Sequence, residues 1–184
     1  RLGETHIKDG AGEVVLDVTG RAVISSGAGR VEVDRVAGNA KITTAGDMRI
    51  GTVDGDAEIK NQSGRTRIRE VKGELLVRSS NGDITVDRAP VGLTAKTANG
   101  SIEVGEVATG RVVLETSAGG IDVGIREGSA AWIDATTRFG KVHNSMGHSA
   151  APASGEASVD VRARTSFGDI TIHRARLDNQ ESQR

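Results

Sequence analysis

Short runs of alternating apolar and polar residues recur along the chain, each opened by a glycine. The opening glycines are Gly12, Gly29, Gly46, Gly64, Gly82, Gly100, Gly119, Gly140 and Gly168, at intervals of 17, 17, 18, 18, 18, 19, 21 and 28 residues. Two positions after them stand Val14, Val31, Met48, Thr66, Ile84, Ile102, Ile121, Val142 and Ile170. Two further on come Leu16, Val33, Ile50, Ile68, Val86, Val104, Val123, Asn144 and Ile172. Apolar residues two apart share one face of a strand. Both columns are mostly β-branched, which suits a pleated, buried surface.

Each unit holds a second strand. Its inward residues are Ile7, Ile24, Ile42, Ile59, Val77, Ala95, Leu114, Ala135 and Ala163. Two residues later comes a small, hydrogen-bonding column: Asp9, Ser26, Thr44, Asn61, Ser79, Thr97, Thr116, Thr137 and Thr165. Such side chains can bond to a neighbouring unit or cap turn backbone. No stretch has helical periodicity. A unit of two strands and two turns cannot bury its own apolar face, so copies must stack.

The pattern predicts an all-β fold: a parallel β-helix, or β-solenoid, of about nine rungs of 17–19 residues. At about 4.8 Å per rung the rod is roughly 40 Å long. An antiparallel sandwich also uses short, regular strands, but it would not keep one residue class at one place in every unit. The spacing leaves the handedness open. A right-handed coil is preferred, because the six-residue apolar spacing of a left-handed three-sided coil is missing. Just after the opening glycine stand Glu13, Arg30, Asp47, Arg65 and Asp83, alternating in sign. Stacked side by side, they are expected to attract across rungs and oppose a slip of register.

The rhythm loosens after Gly119. Residues 1–175 read as one repeat domain with an inserted loop at about 145–157, and 176–184 as a disordered polar tail. The chain opens without Met and in mid-pattern, so it reads as part of a longer protein whose upstream segment would cap the N-terminal rung. Trp132, Phe139 and Phe167 are the only large aromatics, and all fall where the repeat loosens. They are expected to lie together as a plug closing the C-terminal end. The alternative is an exposed platform for a ligand or partner.

Composition narrows the function. Lys and Arg number 24 against 25 Asp and Glu, a net charge of -1, which argues against a nucleic-acid binder. There is no cysteine, hence no disulfide and no thiolate metal site. No apolar run approaches a membrane span. Asp47, Asp83 and Asp169 follow turn glycines, but the calcium-binding rhythm of one Asp per nine-residue repeat is absent, and turn capping is the preferred reading. His6, His143, His148 and His173 show no metal-ligand spacing and read as surface residues. No cofactor or metal is expected.

Glu32, Arg49 and Arg67 share one outward column, with Glu103 and Asp122 farther along it. Carboxylates and bases on one sheet are how β-helical polysaccharide enzymes are built. Alternating charge is equally what a solvated β-face shows. The sequence favours a non-enzymatic structural or interaction scaffold, not an enzyme. A polysaccharide-active β-helix and a self-assembling, filament-forming solenoid are the alternatives. A protein or cell-surface partner, or self-association, is expected, and no nucleic acid.

Four stretches carry a resemblance: SSNGDITVDRA (79–89), KTANGSIEVGEV (96–107), EGSAAWIDATTRFGKVHN (127–144) and VDVRARTSFGDITIHRA (159–175). They resemble a bacterial adhesin-like β-strand-repeat family of unknown function, its actinobacterial branch above all. The resemblance implies a β-helical repeat domain, usually preceded by another β-rich segment, in a bacterial cytoplasm or cell envelope. It brings no catalytic residues.

Overall fold

The computed structural model describes residues 3–147 and 157–175, so most of the expected inserted loop and the whole tail lie outside the described residues. The described chain is all strand and turn. One sheet contains β1 (Glu4–Ala11), β3 (Arg21–Ala28), β5 (Ala40–Thr44), β7 (Ala57–Ser63), β9 (Glu74–Asn81), β11 (Gly92–Asn99), β13 (Gly110–Ala118), β15 (Ala130–Phe139) and β17 (Ser158–Phe167). The other contains β2 (Val14–Thr19), β4 (Val31–Val36), β6 (Met48–Val53), β8 (Thr66–Val71), β10 (Ile84–Ala89), β12 (Ile102–Val107), β14 (Ile121–Ile125), β16 (Val142–Asn144) and β18 (Ile170–Arg174). The strand pairs are parallel throughout, as a solenoid requires and a hairpin sandwich does not.

The core lies between the two sheets. Ile24, Ile42, Ile59 and Val77 stack as register partners in the first sheet, and Ile50, Ile68, Val86 and Val104 in the second. All eight are at most 2 % exposed. Each fully buried aliphatic side chain contributes about 1.5–3 kcal/mol by leaving water.

The small polar column is mostly buried as well, and it ties rungs together. The Thr116 hydroxyl donates to the Gly100 carbonyl at 2.8 Å, Thr165 to Gly119 at 2.9 Å and Thr137 to Gly168 at 2.9 Å. Asn61 Nδ2 reaches the carbonyls of Gly46 and Gly64 and the Thr66 hydroxyl at 3.0, 3.2 and 3.0 Å. The acceptors are the turn glycines, which stack on one another. Gly82 and Gly100 adopt φ of 128° and 141°, and a Cβ at Gly100 would collide with the Gly82 carbonyl.

The outward charges after these glycines work differently from the expectation of cross-rung ion attraction. Asp47 Oδ1 accepts the backbone N–H of Arg65 at 2.9 Å, Asp83 that of Ser101 at 2.9 Å, and Asp169 that of Lys141 at 2.8 Å. A carboxylate reaching one rung onward satisfies a turn N–H that no strand partner meets. At the opposite corner Asn39 and Asp56 do the same for the N–H groups of Asp56 and Glu74.

The order of rungs departs from the order of the chain at the C-terminal end. The first seven coils, β1 to β14, stack in sequence, but β17 and β18 lie between β13–β14 and β15–β16. Ile121 N–H donates to Asp169 at 2.9 Å, and Ile170 N–H to Lys141 at 2.9 Å. The chain therefore skips one place, lays down the terminal rung, and returns to fill the gap. The inward column explains the choice. Ile172 is 0 % exposed and its terminal-rung partner is Asn144, whose amide would be costly inside but meets solvent at the end.

Candidate functional site

Phe139 and Phe167 end β15 and β17, each one residue before a turn glycine, and they are register partners. Their rings stack with centroids 5.0 Å apart and planes 8° apart, yet 61 % and 59 % of the two residues is exposed. Trp132 is 66 % exposed. It stands seven residues before Phe139 on the same strand, roughly 23 Å away at about 3.3 Å per residue.

This corrects the expected plug in two respects. The three aromatics do not fill the end of the rod, and Trp132 is apart from the phenylalanine pair. The reason is strand parity and position. Ala131, Ile133 and Ala135 face the core, so Trp132 faces out. The phenylalanines occupy the corner where the chain leaves the sheet, a place held in earlier rungs by exposed Asn81, Asn99 and Ala118. Half-buried Ala131, Ile133, Ala135 and Met146 pack against the core at the end instead. The polar residues at the earlier corner positions were the signal that this place points outward.

Two concave regions mark the outer face of the first sheet. One, of about 1050 Å³, includes Lys41, Asp56, Glu58, Glu74, Leu76 and Arg111. Two of its acids, Glu58 and Asp56, are engaged. Glu58 lies 3.0 Å from Lys60 and 3.4 Å from Lys41, and these ammonium groups, Lys60 first, hold its carboxyl below the ordinary carboxylate range. Asp56 accepts the Glu74 N–H. Glu58 is therefore ionised at neutral pH and has no proton to donate. The second, of about 670 Å³, lies across β11, β13, β17 and β15 and is lined by Lys96, Glu115, Ser117, Arg138, Arg164 and Ser166.

The outward column proposed for an enzyme is real. Glu32 pairs with Arg49 and Arg49 with Arg67; past Thr85, Glu103 pairs with Asp122. His173, in the adjacent column opposite Gly124, reaches across to this column, with Nε2 2.8 Å from Asp122 Oδ1 and Nδ1 2.7 Å from the Arg174 carbonyl. His173 is thus a partnered, half-buried residue rather than a free surface one. His6 lies 3.0 Å from Glu4, His143 is exposed on the terminal rung, and His148 lies outside the described residues. Among the described residues no three His, Cys, Asp or Glu side chains are placed to hold a metal ion, and no helix is long and apolar enough to cross a membrane.

Compared with known proteins, residues 2–173 match the family model described as Toastrack DUF4097. No curated protein and no solved structure matches the chain.

Proposed function

Because the chain belongs to the Toastrack DUF4097 family, a domain of unknown function, we propose its role from its own surface: a non-enzymatic scaffold that presents the outer face of its first sheet to a protein or cell-surface partner. One observation carries this reading. The only three large aromatics of the chain all face solvent on the last two rungs, and none belongs to the buried core. Exposed aromatics on a rigid support are common anchors of binding surfaces. Glu58 and Asp56 in the trough of about 1050 Å³ support the same reading, since both are tied to neighbouring rungs.

A polysaccharide-active enzyme is the second reading, favoured by the adjacent carboxylates Glu103 and Asp122 with His173 bonded to the latter. Two carboxylates one rung apart are spaced as general acid and nucleophile would need. The concave regions along this column gather Glu32, Arg49 and Arg67 but not Glu103 or Asp122. The test is turnover of a panel of acidic and neutral glycans by the purified chain. The scaffold reading expects none. Turnover that disappears in Glu103→Gln or Asp122→Asn would replace it with the enzyme.

A further inference from the structure

Across this molecule, outward charges on adjacent rungs are mostly opposite in sign: Glu4 and Arg21, Lys41 and Glu58, Glu32 and Arg49, Arg111 and Asp160. One column of the first sheet breaks the rule over three rungs. Lys60, Arg78 and Lys96 are successive register partners, so three cations stand about 4.8 Å apart. Like charges directly opposite one another destabilise a sheet. The column starts at Lys8 and continues past Glu115 to Arg164; its other positions are hydroxyl residues. Lys60 leans sideways to Glu58 at 3.0 Å and Lys96 reaches its next-rung partner Glu115 at 2.7 Å, while exposed Arg78 has no acidic partner among the described residues. Toward the C-terminal end the column opens into the trough of about 670 Å³, where Glu115 is the one acid among Lys96, Arg138 and Arg164. Ser117 and Ser166 line the same trough.

We propose that this strip binds a linear acidic polysaccharide, one carboxylate per sugar ring, laid along the rod axis. The inference rests on the scaffold reading and gives it a partner. A repeating row of cations fits a repeating polyanion, and the rung spacing is close to the length of one sugar ring. Arg78 offers a carboxylate two parallel N–H donors, and the serines offer hydrogen bonds to ring hydroxyls. Competing occupants fit less well. Same-face side chains of an extended acidic peptide are about 6.6 Å apart, out of step with the rungs. A single-stranded nucleic acid needs aromatic platforms along its track, and here the phenylalanine pair stands only at one end. An anionic membrane would lie on the whole face and meet Glu58 in the neighbouring column and Glu74 and Asp160 in the one beyond it.

The test is titration of the full chain with a galacturonate hexamer, beside its neutral, reduced form, a polyglutamate of equal charge and an oligothymidylate. The hexamer should bind, more weakly as salt is raised, and at least tenfold tighter than the other three. Arg78→Glu should weaken it at least tenfold, and Lys60→Glu with Lys96→Glu further. Arg88→Glu, an exposed change on the opposite sheet, should leave binding unaltered. Unaltered melting temperatures for these surface variants assure that a loss is local. No binding of the hexamer, an equal loss in Arg88→Glu, or tighter binding of the peptide or the nucleic acid overturns the proposal, and the scaffold reading survives. Cleavage of a hexamer that still depends on Arg78 keeps the strip and overturns the scaffold reading instead.

Discussion

At the scale of single residues, the buried polar column is the most instructive feature. Thr116 and Thr44 occupy equivalent places and are 6 % and 1 % exposed, but only Thr116 has a partner, the Gly100 carbonyl. The Thr44 hydroxyl is buried without one among the described residues. Valine has the same shape and the same preference for strands, so the substitution isolates the hydroxyl. Thr116→Val should destabilise by about 1 kcal/mol, and Thr44→Val should stabilise by about as much. Chemical denaturation of the two variants reads both signs, and equal shifts would refute the assignment of partners. The sequence shows that the column is small and polar, because every rung repeats it. It does not show which hydroxyls are satisfied, since that depends on fractions of an ångström between stacked turns. The aromatics were legible in place but not in direction. Their hydrophobicity suggests burial, whereas Asn81, Asn99 and Ala118 at the same corner already marked it as exposed.

At the scale of the element, period and pairing follow from the alternation of apolar residues, and strand boundaries follow from the glycines. The exchange of the last two rungs is harder to read. β15 and β17 present nearly interchangeable inward faces, with Ala135 against Ala163 and Thr137 against Thr165, so the columns are compatible with either order. Only Asn144 opposite Ile172 discriminates, one polar residue in an otherwise apolar column. Substitution tests the order directly. Ile172→Asn should destabilise by roughly 3–5 kcal/mol, because it buries an amide and empties an aliphatic site. Asn144→Val should change stability by no more than about 0.5 kcal/mol. If the rungs instead followed chain order, Asn144 would be the interior residue and the two effects would trade places.

At the scale of the whole molecule, the fold is a rod whose stability is distributed over stacked rungs, each contacting chiefly its neighbours. That leaves the outer face of the first sheet free to carry side chains that the core does not need, and this is the basis of the scaffold reading. The most direct test is the melting temperature of the chain with Trp132→Thr, Phe139→Thr and Phe167→Thr combined. Threonine keeps the strand preference, so the comparison isolates the aromatic rings. With all three over half exposed, the loss should be about 1 kcal/mol, chiefly the phenylalanine stack, or roughly 2–4 °C for a chain of this size. If the three rings closed the rod as a buried plug, each truncation would remove about 3–5 kcal/mol, and the melting temperature would fall by well over 10 °C or the C-terminal rungs would not fold at all.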